Sequence, residues 1–234
     1  MNKTIKIIVE LLLLVGIAAL VYANYSSIMK PVNFNKEKNY RQGVAVQRLK
    51  DIRTLQVAYK AVNNKFTASF DTLADFYNKA EMSVIMQVGS EDDSLAMAHT
   101  AAIKKANPKL KGAELNNFLF EKYQQGDKQL VFSVENKIPV RDTIFHSRQD
   151  FCVDSLRYIP FSGGMETEME AIVRTVSGVQ VPLFEARMPY KKLLHGLDNQ
   201  LRINLDAEMR DMNRYEGLQV GSVTAPNNNA GNWE

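Results

Sequence analysis

A single cysteine, Cys152, and three histidines, His99, His146 and His195, are all the thiol and imidazole that 234 residues provide. No intrachain disulfide can form, the Cys-based zinc patterns are excluded, and the histidines are too scattered for an H-E-x-x-H site. Charge of one sign is also scarce: 29 Lys+Arg against 26 Asp+Glu leave +3. That balance argues against nucleic acid as a partner, which needs a basic surplus gathered on one face. Gly 12 and Pro 7 exclude collagen-like and low-complexity chains. With 45% hydrophobic and 24% charged residues, a core is within reach, and the length fits one domain or one domain with a small companion.

Residue types that do chemistry are present but poorly grouped. His146 and Cys152 stand six apart with no third group to form a nucleophilic pair, so Cys152 is expected to be buried and inert. Glu91, Asp92 and Asp93 lack EF-hand spacing and read as a helix start. Glu166, Glu168 and Glu170 share one strand face, which turns to solvent or else to a basic partner or a cation. Gly163-Gly164 is a turn, too short to cradle phosphate. The expectation is therefore no enzyme, no metal and no cofactor.

The one long hydrophobic run is at the start. Leu11 to Ala23 holds no charged or amide side chain, and extension from Ile7 to Met29 gives 23 residues. About 20 residues at 1.5 Å each span a bilayer core. A cleaved signal is the competitor, but Val21-Tyr22-Ala23 places a large aromatic where a small residue belongs. A retained single-pass anchor within residues 7–29 is expected, with the lipid bilayer as its first partner. Lys3, Lys6 and the amino terminus oppose Lys30, Lys36, Lys38 and Arg41, so the positive-inside bias does not decide orientation. The short basic tail before an apolar run favours a cytoplasmic N-terminus with the body in the periplasm of a bacterial inner membrane. Glu10 is the odd residue in the span. It either pairs with Lys6 one turn away or contacts a neighbouring subunit.

Apolar residues then recur at Ala45, Leu49, Ile52, Leu55, Tyr59 and Val62, in steps of 4, 3, 3, 4 and 3. That spacing is one helix face over residues 35–62, with Arg48, Lys50, Arg53 and Lys60 opposite. The apolar face needs a cover, by default the rest of this chain. Pro31 is expected to kink the connection to the membrane helix or to start a new first turn. Gly43 is a weak point in the helix, and Asn63-Asn64 ends it. Ser69 caps a short helix to about Asn78, with Asp71 in its first turn and Phe70, Leu73 and Phe76 or Tyr77 inward.

An apolar N-terminal helix with an embedded Glu, followed by IRTLQVAYKAVNNKFTASFDTL, resembles the type IV pilin and type II secretion pseudopilin family over residues 6–78. The resemblance implies a structural subunit of an envelope filament or secretion-type assembly, partnered by its own copies or by other envelope proteins. Only Glu10 carries over as an assembly residue. The chain departs from the family at the processing site: counting back from Glu10, Ile5 stands where the family has Gly. The other reading is an anchored extracytoplasmic binding or scaffold module that forms no filament.

Beyond residue 80 the sequence reads as a short buried strand at Ser83–Val88, a helix opened by residues 91–94 and running to Ala106, and a second helix at Ala113–Tyr123. This helical pair suits an insertion. Strands are expected at Gln129–Glu135, Ile138–His146, Asp154–Phe161, Glu168–Val176 and Val179–Ala186. The last two flank a Ser177-Gly178 hairpin. Alternating Leu201, Ile203 and Leu205 read as a strand before a helical patch at Ala207–Tyr215, and Leu218–Val223 as a last strand. The organisation expected is an anchor at 1–30, helices at 31–80, a body at 81–226 and a loose tail at 227–234 with Trp233 as its anchor. The fold class is α+β: a transmembrane helix continuing into a long amphipathic one, packed on a mostly antiparallel sheet.

Overall fold

A computed structural model describes residues 3–234, with side chains from residue 6 onward except residue 9. The Met1 amine and the Lys3 side chain, which entered the reading of the basic tail, lie outside the described residues. The chain forms two compact units, one from residues 1–74 with 152–234 and one from residues 75–151. The fold is α+β with two antiparallel sheets.

The larger unit is organised by one helix, α1, Lys3–Asn63. It runs through Pro31 without a break. The expected restart there does not occur; the carbonyl of Ser27 loses its N–H partner and the helix continues. It ends where expected, with Asn64 at φ 58 and its N–H on the carbonyl of Lys60 at 2.8 Å. Along the second half Ala45, Leu49, Ile52 and Leu55 are fully buried, and Tyr59 nearly so. Val62, expected on the same face, is exposed. The cover comes from the chain itself, as the spacing of the apolar face predicts.

That cover is a three-stranded meander, β3 Glu168–Val176, β4 Val179–Pro189 and β5 Gly217–Gly221. Ser177 (φ 51) and Gly178 (φ 83) close the β3–β4 hairpin, both left-handed as a two-residue turn on twisted strands requires. Phe184, Ala186 and Met188 alternate along β4 with no exposure, and α1 packs against β4 and β5. The Phe66 ring lies 4.8 Å from that of Phe184. On the other face the buried Glu185 meets Arg187 at 3.1 Å and accepts from the Val223 N–H at 3.2 Å, so its charge is compensated.

Three expectations for this unit need correction. Residues 154–161 are not a strand: Val153–Arg157 is a 3-10 turn, because Val153, Leu156 and Ile159 are buried at intervals of three. Leu201, Ile203 and Leu205 lie on a helix, α7, Asn199–Asp211, capped by the Asp198 carboxylate on the N–H groups of Gln200 and Leu201 at 3.0 Å. Its inward side carries Asp206, paired with Arg202; burial outweighs that cation and lifts the Asp206 carboxyl above its ordinary range. Residues 227–234 are not loose. Gly231 bridges Val220, Asn232 is bonded to Gln219 through backbone and side chain, and Glu234 meets Arg53 at 2.7 Å. The short helix α6, Tyr190–Leu193, joins β4 to the turn before α7.

The cations of α1 do not simply face solvent. Arg41 donates to the carbonyls of Leu193 and His195 at 3.3 and 2.8 Å, Arg48 to that of Tyr158, and Arg53 to that of Asn229 at 3.3 Å. Lys60 lies over the Phe66 ring at 5.1 Å. Partial burial holds the Arg48 pKa below its ordinary value. Each guanidinium thus satisfies a loop carbonyl that the helix would otherwise leave dangling.

The helix α2, Phe70–Lys79, passes from the larger unit into the smaller, with Ser69 Oγ accepting from the Thr72 N–H at 3.3 Å. The smaller unit pairs β1, Glu81–Val88, antiparallel to β2, Phe132–Pro139, from Glu81↔Pro139 to Val88↔Phe132. Two helices, α3 Ser94–Ala106 and α4 Gly112–Gln124, connect the strands. Asp93 caps α3. Val88, Leu119, Leu130, Phe132 and Val134 form the core, with Ile103, Leu115, Phe120 and Tyr123 against it. Gly89, at φ +77, has the Leu130 carbonyl oxygen 2.3 Å from where a Cβ would stand, so the bend after β1 admits only glycine. β1 is not the buried strand expected: Val88 alone is buried in it, and Ile85 is 72% exposed. Nor does Ile138–His146 make a strand. Pro139 ends β2, and Val140–Thr143 is one helical turn, α5.

Gln56 connects helix to loop at the centre of the larger unit. Fully buried on α1, it donates from Nε2 to the Thr67 carbonyl at 2.5 Å and accepts on Oε1 from the Thr67 N–H at 3.2 Å. Replacing Gln56 by Ala leaves both Thr67 groups without a partner, at about 1–3 kcal/mol for each buried polar group left unpaired. Chemical denaturation of the variant is expected to show a midpoint lowered to match; an unchanged midpoint would show that the amide pair contributes nothing.

Candidate functional site

Two parts of the larger unit are set apart from the packing just described. The first is the N-terminal half of α1. Of the described helices, α1 alone is long and apolar enough to cross a membrane, and no part of its apolar window is buried within the chain. Leu11, Leu14, Leu20 and Val21 are all more than 60% exposed. Each such side chain gains about 1.5–3 kcal/mol when removed from water, so the segment calls for an apolar surrounding along its whole length. Asn24 is self-sufficient there: its Nδ2 donates to the carbonyl of Leu20 at 2.9 Å. Glu10 is not. It is exposed, and among the described residues it forms no ion pair, Lys6 included. The intrachain pairing that one reading of the sequence allowed does not form.

The side chains singled out for chemistry fall elsewhere. Cys152 is exposed, not buried; its carbonyl accepts from the Ser155 N–H at 3.1 Å and the Ser155 hydroxyl at 2.7 Å, which turns the side chain outward ahead of the 3-10 turn. His146 belongs to the smaller unit and is exposed. His99 there meets Asp127 at 2.9 Å, and that hydrogen bond holds the Asp127 carboxyl below its usual range. Of the three glutamates read as one strand face, only Glu168 and Glu170 lie on β3; Glu168 meets Lys192 at 2.9 Å and Arg187 at 3.6 Å, and Glu166, two residues before the strand, lies 4.0 Å from Arg157. Their cations come from the same chain. Asp71 meets Arg157 as well, fixing the start of α2 to the 3-10 turn. Among the described residues no three His, Cys, Asp or Glu side chains converge.

The second part is a groove of about 650 Å3 in the larger unit, which the sequence did not announce. Gln42 and Gly43 of α1 form one wall, Tyr190 and Tyr215 another, and Trp233 of the C-terminal segment closes it. Gln42 donates to the Tyr190 hydroxyl at 2.8 Å. Burial, then the nearby Glu168, push the Tyr215 hydroxyl up to about 12, so it stays protonated. The signal in sequence was Gly43, a glycine in mid-helix where nothing in the packing asks for one.

Comparison with protein-family models, with curated proteins and with solved structures finds no match to this chain.

Exposure changes what to expect of Cys152. A maleimide reagent is expected to label it fully in the folded protein, and Cys152→Ala to shift unfolding by no more than about 0.5 kcal/mol, as at other exposed positions. Labelling only after denaturation would contradict the placement.

Proposed function

We propose that this protein is a membrane-anchored, pilin-like structural subunit that packs side by side with copies of itself or with other envelope proteins. In this reading it sits in a bacterial inner membrane by a single pass, with its body in the periplasm. The observation that carries the reading is α1. One unbroken helix has an uncovered apolar first half and a second half buried in an antiparallel sheet, so membrane segment and body are joined without a linker. The resemblance over residues 6–78 supports the same reading. Glu10 supports assembly specifically, because a carboxylate in an apolar segment is costly unless something partners it, and among the described residues no cation pairs with it. No catalytic role and no nucleic-acid partner are part of the proposal.

A second reading is the anchored binding module that forms no filament. Ile5 at the position of the processing glycine favours it, and so does the groove beside α1.

Replacing Glu10 by Gln keeps shape and removes the charge. If Glu10 organises neighbours, the oligomer in mild detergent is expected to dissociate or change size while far-UV circular dichroism and the body's unfolding stay the same. A wild type that sediments as a monomer at every concentration, with no envelope protein co-purifying, would leave the binding module as the answer.

A further inference from the structure

We propose that a cleft between α1 and the turn at residues 196–198 seats the headgroup of an anionic phospholipid. The proposal rests on the membrane anchor of the preceding reading and is independent of assembly. The cleft measures about 550 Å3, with Lys30, Asn33 and Lys36 of α1 on one side and Leu197 and Asp198 on the other.

The level of the cleft along α1 selects a lipid. The apolar run ends at Met29, and Lys30 follows it directly. Phe34 is the first buried residue of α1 among the described side chains, so the body begins about one turn beyond the apolar run. Lys36 stands six residues after Lys30, about 9 Å further at 1.5 Å per residue. The headgroup layer is about 5–8 Å deep on each side of the hydrocarbon core. The two lysines therefore bracket that layer, and the cleft lies within it.

The charge of the cleft selects an anionic headgroup. From Lys30 to Arg41, α1 carries the cations Lys30, Lys36, Lys38 and Arg41 against a single carboxylate. That carboxylate, Glu37, is paired with Arg41 at 2.8 Å. Asp198 is engaged as the cap of α7, accepting from the N–H groups of Gln200 and Leu201 at 3.0 Å. Lys30 and Lys36 are exposed, and among the described residues neither makes an ion pair or a side-chain hydrogen bond. Cations next to a membrane segment are drawn to anionic lipid, and a lysine stem is long enough to bring its ammonium to a phosphate oxygen. A zwitterionic headgroup would carry its own cation toward the same two lysines; an anionic one does not. Arg41 holds the opposite wall in place, donating to the carbonyls of Leu193 and His195 just before the turn. Asn33, also exposed, adds amide donors for the phosphate or glycerol oxygens.

The full chain is reconstituted in phosphatidylcholine bilayers, and electron paramagnetic resonance of spin-labelled phosphatidylglycerol and spin-labelled phosphatidylcholine measures which lipid the protein retains. The expected preference for phosphatidylglycerol is about threefold or more. Lys30→Gln combined with Lys36→Gln is expected to bring the ratio close to one, with far-UV circular dichroism unchanged. Lys38→Gln combined with Lys191→Gln removes the same charge outside the cleft lining and is expected to keep most of the preference. No preference in the inserted wild type overturns the site and leaves the anchor standing. Equal loss in the two double variants overturns it in favour of diffuse surface charge. A chain that does not insert into the bilayer overturns the anchor and the site together.

Discussion

Between Phe34 and Tyr59 a single helix turns its apolar face into the centre of the larger unit, and most of that unit is held to it. The sheet packs on Leu49, Ile52 and Leu55, while the loops are tied by Arg41, Arg48 and Arg53 through carbonyls at 193, 195, 158 and 229. Gln56 fixes the loop after the helix by pairing both ways with Thr67. These contacts divide the work. Apolar burial is non-directional and supplies the stabilisation, and the guanidinium and amide contacts choose which loop lies where. The same helix is bare over its first half. Its two halves need different surroundings, and the Phe34 region is where one gives way to the other.

This division explains which parts of the fold could be read from the residues. The 4-3-3-4 spacing from Ala45 to Tyr59 is a helix face that no strand can imitate, and it is buried as read. Ser177-Gly178 between alternating runs is a hairpin because only left-handed backbone closes two twisted strands in two residues. The misreadings came where two periods coincide. Leu201, Ile203 and Leu205 alternate, but they also follow Asp198, a capping residue whose weight was missed. Burial in β1 failed for another reason. SVIMQV is apolar in composition, yet a two-stranded ribbon has a single covered face, so Ile85 is left out.

The candidate sites were legible to different degrees. Glu10 stood out because a charge in an apolar run is unusual wherever the chain folds. Cys152 was expected inside, since free cysteines usually are; its outward turn depends on the bonds from Ser155, and hydroxyl contacts of that kind leave no periodic trace. The groove left only Gly43 as a trace, because its other walls lie at 42, 190, 214–215 and 233 and share no pattern. The tail was read as loose from its asparagines, yet Asn232 is what docks it, by lending its amide to β5 as a strand would.

The central claim is that α1 is one continuous helix from the bare apolar segment to the core, running through Pro31. Spin labels placed by Tyr22→Cys and Lys50→Cys, in a chain carrying Cys152→Ala and reconstituted in lipid nanodiscs, measure it directly. Both positions are exposed. Twenty-eight residues of α-helix at 1.5 Å each put the backbones about 42 Å apart, and a single narrow distance distribution near that value is the expected result. A broad distribution, or one about 10 Å or more shorter, would mean that the helix hinges at Pro31 and that anchor and body are separate elements.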